Sequence, residues 1–392
     1  MNEEHLINFL ERCFCPDHFL MHAKELLTNS GYSELKIEDD WGEIPTKGFS
    51  IHQNGAIIAY KYDSLEKAFI ISTHCDQHFI QISSNDVVLP NGYNQIKMNS
   101  YGDLKKHSFF QRPLKCVGYA FVRRNDILTQ TSNKVEKVFF DTNDAIAFFP
   151  FPLELDNDGF GLNPIIGTLK SDDIFTYLSK LLKVDINDIL DYKIQLVDQN
   201  KPKIFQNGLI GSTNLSYSIA NYISLKTFLE SEANGNINIF CSFFNNNSFD
   251  ESIQSPEVSG KFLSTFLEKV IFIDFQDFIN NSLCINIEAF NANETEINCL
   301  NFLEKNENED LLINEINGKM NHKINKKETN KFMNGEVINK NTNIKTVNLG
   351  IPIVSKNSIR EYCSMKMINE FENALAELQT TFLEYSLNKS IK

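Results

Sequence analysis

The chain has 392 residues, 42% of them hydrophobic, and a formal net charge of −14. That is enough to bury a large core and, by length, to form two domains rather than one. The acidic balance argues against nucleic acid or anionic membrane as the main partner, because phosphate binding needs a positive surface. The opening MNEEHLINFLERC carries acids where a secretory leader would carry bases, and no apolar run approaches membrane-spanning length, so a cytoplasmic protein is expected.

Residues 5–30 predict two helical stretches, with Pro16 opening the second and Phe19, Leu20, Ala23, Leu26 and Leu27 forming its apolar face. DDWGEIPTKGFSIHQNGAIIAY predicts strand, Asn54-Gly55 hairpin turn and strand. KAFIISTH, residues 67–74, is a continuous apolar run of the kind buried in a central sheet, and it delivers His74 to the sheet's end. From about Gln81 the pattern becomes short β-like pieces: VVLPNGYNQI, KCVGYAFVRR and KVEKVFF. Ser171 is expected to cap an amphipathic helix carrying Ile174, Leu178, Leu181 and Leu182. A helix over 216–231, the strand INIFCSFF, a helix over 261–270 and the strand LCINIEAF then alternate, which implies a mostly parallel sheet covered by helices on both faces. Residues 301–345 are dominated by Asn, Lys and Glu and are expected as a solvated, partly disordered excursion. In TVNLGIPIVSKNSIREYC, a β-branched run ends at Gly350, a tight turn is expected at Pro352, and Ser358 should cap a helix beginning with Arg360 and Glu361. The last helix sets Ile368, Phe371, Leu375, Leu378 and Phe382 on one stripe, as core or as subunit contact. The cysteines at 13, 15, 75, 116, 241, 284, 299 and 363 form no disulfide framework.

Several of these stretches resemble the aspartyl aminopeptidase family of di-zinc exopeptidases. FLERCFCPDHFLMHAKELL matches the family's opening pattern at Phe9, Leu10, Pro16 and His18, and the likeness continues at Trp41, Gly48 and Asn54 to Ile58. YGDLKKHSFFQRPLKCVG aligns without gaps to a second signature, keeping Tyr101, Gly102, His107, Phe110, Arg112, Leu114 and Gly118, while Gln111 and Pro113 replace its two acids. The resemblance implies an α/β aminopeptidase domain over 1–80 and 199–392, interrupted at 81–198 by a β-rich domain that pairs subunits. It also implies a homo-oligomer, usually a tetrahedral dodecamer built from dimers.

The resemblance allows the site to be read position by position. A two-metal peptidase needs a bridging carboxylate, His and carboxylate ligands, and a free Glu to take the proton of the attacking water. His74 stands in the family's first zinc-ligand motif as HCDQH, with Asp76 retained as its supporting acid. GSTNL puts Thr213 where the bridging Asp belongs, while Asn214 and Leu215 match. FNNNSFDE, residues 244–251, puts Asn247 at the general-base position and Ser248 at a ligand position, with Asn245 replacing a neighbouring acid. NIEAFN keeps a carboxylate as Glu288, one methylene longer, and replaces a His with Asn291; the last ligand His is Asn357. The replacements are neutral and polar, which suits a pocket without cations, since uncompensated carboxylates would repel one another.

The leading expectation is therefore a catalytically inactive homologue with a structural or binding role, holding no zinc where relatives bind two ions. Two alternatives stay open: an active zinc aminopeptidase releasing N-terminal Asp or Glu, and a regulatory subunit co-assembling with an active paralogue. A new metal cluster from His74, Cys75, Asp76 and His78, or a carboxylate restored by Asp250, Glu251 or Glu257, are the rival readings of the same residues.

Overall fold

The computed structural model describes residues 2–383 apart from 53–54, 76–77, 89–91, 125–133, 151–162, 169–170, 244–256, 272–273, 294–298, 305–306, 322–323 and 330–332. In chain order the elements are α1 (Glu3–Arg12), α2 (Pro16–Asn29), β1 (Ser33–Glu34), β2 (Lys47–His52), β3 (Ala56–Tyr62) and β4 (Ala68–His74). Next come β5 (Phe79–Val88), β6 (Tyr93–Tyr101), β7 (Leu114–Arg124), β8 (Lys134–Asp141), β9 (Ile165–Thr168), α3 (Ile174–Leu182) and β10 (Ile189–Asp198). The chain continues with β11 (Lys203–Ile204), β12 (Leu209–Ser212), α4 (Leu215–Glu230), β13 (Ile237–Phe243), α5 (Glu257–Val270), α6 (Phe275–Asn281) and β14 (Leu283–Asn291). It closes with β15 (Asn301–Glu304), α7 (Glu307–Lys319), β16 (Asn325–Glu328), α8 (Asn334–Thr342), β17 (Lys345–Ile353), β18 (Glu361–Ser364) and α9 (Met365–Leu383).

The large sheet has the order β1-β2-β3-β13-β4-β14-β17-β15-β16. Its centre, where β4 lies between β13 and β14 and β14 pairs with β17, is wholly parallel. Every residue of β4 is buried, as a strand covered on both faces requires. Alternate residues then serve two cores: Phe69 and Ile71 pack with α1, α2, α4 and α9, and Ala68 and Ile70 with α5 and α8. The α9 stripe is core, since Ile368, Phe371, Leu375, Leu378 and Phe382 all lie in the first of these clusters.

The six-stranded sheet, order β8-β7-β10-β5-β6-β9, is antiparallel and draws its strands from the stretch Phe79 to Asp198. Its core takes in Leu178 and Leu182 of α3, and also Ile359, which reaches it from the connection between β17 and β18. The cap of α3 is Asp173, whose carboxylate accepts from the Phe175 and Thr176 N–H groups. Ser171 instead accepts from the Thr168 N–H, two residues earlier than a capping role allows.

Three further expectations change. The strand expected to end at Gly350 runs on through Pro352 to Ile353, because β14 pairs with β17 as far as Ile353 while β15 pairs with it only up to Gly350. Beyond that point β17 has, among the described residues, a partner strand on one side alone, so the N–H that proline lacks is not needed there. The helix expected from Arg360 is the strand β18, antiparallel to β12, and the helix starts at Met365. Residues 301–345 contain β15, α7, β16 and α8, with Ile313, Ile316, Met320 and Ile324 buried in one core and Ile338 and Ile344 in the other. A few apolar residues, spaced to meet the sheet edge, hold a stretch whose composition is otherwise polar.

Candidate functional site

His74 ends β4, and its place is fixed by α4. Asn221 donates from Nδ2 to the His74 carbonyl at 2.9 Å and accepts at Oδ1 from the Thr73 hydroxyl at 2.6 Å. On the neighbouring strand Glu288 turns toward it, with Nε2 and Oε2 3.3 Å apart. The other carboxylate oxygen accepts from Asn286 Nδ2 and from the Asn334 N–H at the start of α8, both at 3.0 Å. Asn286 also donates to Asn348 of β17 at 2.8 Å. Burial pushes the Glu288 carboxyl up, but His74 and these two donors outweigh it and hold the group down at about 2. Glu288 is thus an ionised side chain with each oxygen engaged.

Thr213 and Asn357 stand apart from that pair. Thr213 lies between β12 and α4, next to Asn214, whose backbone is left-handed at φ 50° and whose amide donates to the Phe14 carbonyl at 3.1 Å. Asn357, also left-handed at φ 67°, is on the loop between β17 and β18. Its N–H donates to Glu361 Oε1 at 2.7 Å, and its carbonyl accepts from the Lys105 N–H at 2.8 Å. Glu361 Oε2 accepts from the Ser216 N–H in the first turn of α4 at 2.7 Å. Burial raises the Glu361 carboxyl, and these two N–H donors only partly offset it. Thr213, Asn357, Glu361, His78 and Tyr217 line one narrow cleft where the two sheets meet. Gly102, at φ +78°, leaves room for the His78 ring, since a Cβ there would fall 1.8 Å from Nδ1. Asn291 is not among the residues that line the cleft and accepts at Oδ1 from the Lys356 N–H at 3.2 Å. His107 is exposed on a short 3₁₀ turn, whose Ser108 hydroxyl accepts from the Ile359 N–H at 2.9 Å.

Asp76, Asn245, Asn247, Ser248, Asp250 and Glu251 lie outside the described residues, as does Asn54. Among the described residues no three His, Cys, Asp or Glu side chains form a group that could hold a metal ion. His74 and Glu288 are bonded to each other, and Thr213 and Asn357 offer a hydroxyl and an amide. These described donors do not fit a pair of zinc ions, each of which takes four ligands, or three and a water. Sequence reasoning missed Tyr217 and the asparagine pair Asn286–Asn348. The available signal for the pair was a lone Asn inside each of two apolar runs, LCINIEAF and TVNLGIPI, since a buried amide needs a partner.

The aminopeptidase I zinc metalloprotease (M18) family model matches residues 9–153. A relative named probable M18 family aminopeptidase 2, from Clostridium acetobutylicum, is 26% identical over 416 residues, covering 91% of this chain and 94% of its own. The crystal structure of yeast aminopeptidase 1 (Ape1) superposes with a TM-score of 0.81 at 13% identity, covering 97% of both chains. The S. cerevisiae mApe1 dodecamer gives 0.80 at 14% identity, covering 97% of this chain and 98% of its own. At these identities the structural likeness is one of fold, and it is the fold of a mixed α/β chain with a large, mostly parallel sheet and a separate antiparallel one. Taken with the family model over residues 9–153 and a relative aligned along nearly the whole length, it makes the chain similar to the M18 aminopeptidases from end to end.

Proposed function

We propose that this chain is a catalytically inactive M18 homologue that keeps the family's scaffold for a structural or binding role. The observation that carries the reading is the chemistry of the donor set. Thr213, Ser248 and Asn357 are poor zinc ligands beside carboxylate and imidazole, and Asn247 has no basic group with which to take a proton from water. The retained carboxylate, Glu288, is engaged with His74, Asn286 and the start of α8. The test is elemental analysis of the purified protein together with an assay on peptides bearing N-terminal Asp or Glu. We expect well under one zinc per chain and no amino acid released; two metals per chain with turnover would sink the reading. A second reading, an active aminopeptidase, is favoured by the name of the relative that aligns over 91% of the chain, and the same assay decides between them.

We further propose a cytoplasmic homo-oligomer paired through a domain spanning 81–198, with the tetrahedral dodecamer as its closed form. Support comes from the exposed large apolar side chains Tyr93, Val135, Phe148, Leu181, Ile186 and Leu190, all of which fall between residues 93 and 190. Among the described residues no helix is long and apolar enough to cross a membrane, which leaves protein surface as the natural cover for such side chains.

A further inference from the structure

One bulky side chain in the site is used neither by the family pattern nor by the proposed function. Tyr217 is in the first turn of α4 and 7% exposed. Its ring meets His74 edge-on, with centroids 4.8 Å apart and planes at 78°, and lies 6.3 Å from the ring of His78. It forms part of the wall of the cleft that contains Thr213, Asn357 and Glu361. It also lines a second, small cavity with Cys13, Cys15, Cys75, Ser218 and Asn221. His74 and Glu288 are not among the residues that line the cleft, whereas Tyr217 both lines it and meets His74.

The backbone that carries the ring is held in place, and the residue itself is 7% exposed. Glu361 holds the helix by the Ser216 N–H, and Asn221, one turn on, is bonded to the end of β4 through both of its side-chain atoms. Donors that share one zinc ion must each come within about 2.0–2.3 Å of it, which demands an open centre. Tyr217 meets one donor, His74, and lines the cleft that holds the positions of two others, Thr213 and Asn357, so its ring takes up space that such a centre would need.

We infer that Tyr217 is a plug: its ring, held by α4, separates the His74–Glu288 pair from the Thr213–Asn357 cleft and bars a metal ion from the space between them. The inference rests on reading the site as metal-free. It adds that the loss of ligands and the filling of the centre are separate barriers, so that restoring donors alone does not restore a site.

The test uses the full-length chain carrying Thr213→Asp and Asn357→His, which with His74 and Glu288 supplies two imidazoles and two carboxylates. Into this background go Tyr217→Ser and, separately, Tyr217→Phe, and zinc is titrated into chelator-treated protein by calorimetry. The Tyr217→Ser protein should bind zinc at least tenfold tighter than the parent, and the Tyr217→Phe protein should match the parent, because the ring and not the hydroxyl is the barrier. Equal affinity in all three, or binding in none, overturns the plug. If near-ultraviolet circular dichroism shows that Tyr217→Ser has not folded, Tyr217→Val replaces it with the same expectation. Elemental analysis of the unsubstituted chain separates the two ideas. Two zinc ions per chain there would defeat both the metal-free reading and the plug, whereas a zinc-free chain with equal affinities in the titration defeats the plug alone.

Discussion

Arg360 is the residue whose surroundings leave it least freedom. It is 8% exposed, its guanidinium donates to the carboxylate of Asp198 at 3.1 Å, and it donates again to the carbonyls of Asn200, Lys201 and Gly211 at 3.0, 2.7 and 3.0 Å. The carboxylate and the three carbonyls come from the end of β10, the turn after it, and β12. Arg360→Ala would leave the fully buried Asp198 carboxylate unpaired, and we expect a loss of about 3–5 kcal/mol, read as the shift of a denaturant midpoint. Arg360→Lys should recover only part of it, because a single ammonium cannot reach four acceptors set out for a planar fork. His22 makes a pH prediction. Burial depresses its pKa from 6.5 to about 4, with Arg12 adding to the effect and Glu25 opposing it. Between those two values the unfolded chain binds more protons than the folded one, so stability rises with pH across that window and is lost as pH falls through it. The contribution is of order 3 kcal/mol. Melting temperatures from pH 7.5 to 4 should fall less steeply in His22→Gln than in the parent; parallel curves would refute the assignment.

At the scale of elements, α8 shows how a helix from a polar stretch is held to a buried sheet. Its first residues sit over β14 and β17, where the Asn334 N–H meets Glu288 and Gly335 packs on the side chain of Asn348. A Cβ on Gly335 would fall 2.3 Å from Asn348 Oδ1, so Gly335→Ala must lift the helix or break the Glu288–Asn286–Asn348 chain. Overpacking of this kind costs about 1–3 kcal/mol. The predicted result is a lower urea midpoint with an unchanged slope, and an unshifted midpoint would show that α8 is not seated as described. The helix α4 presents the opposite case. It is buried on nearly every face, and its apolar residues show no one-sided stripe, because α1, α9 and the sheet surround it.

For the whole molecule, the exposed large apolar side chains among the described residues all fall between residues 93 and 190. If copies pair through the domain spanning 81–198 as proposed, the purified protein should scatter light as a particle of several hundred kilodaltons at micromolar concentration. Phe148→Glu combined with Leu181→Glu, both at exposed positions (43% and 37%), should shift it to smaller species without lowering the melting temperature of the subunit core. A monomeric parent protein would refute the assembly. The core itself is divided by the sheet into the two layers described above, and the six-stranded sheet meets it through Ile359 and the Lys105–Asn357 contact. The cleft with Thr213 and Asn357 therefore exists only where both sheets are in place.

The sequence by itself determined the elements whose burial has a period. The apolar run at 68–71 makes a central strand, GFSIH and the apolar AIIAY either side of the Asn54-Gly55 pair predict a hairpin, and the stripe from Ile368 to Phe382 makes the last helix. In each case residues two, three or four apart report a shared face, and that information is local. The mixed α/β class was legible for the same reason, and the resemblance to the aminopeptidases was legible from short gapless motifs. Only the tertiary structure decided that residues 361–364 form a strand, because the pairing of Ser212 with Glu361 joins positions 149 apart in sequence. It alone decided that residues 301–345 supply α7, β16 and α8, since what orders them is the sheet edge they cover. It alone also placed Tyr217 against His74 and the start of α8 against Glu288. Contacts between groups far apart along the chain leave no periodic trace in it, and they come into being only when the sheet brings its ends together.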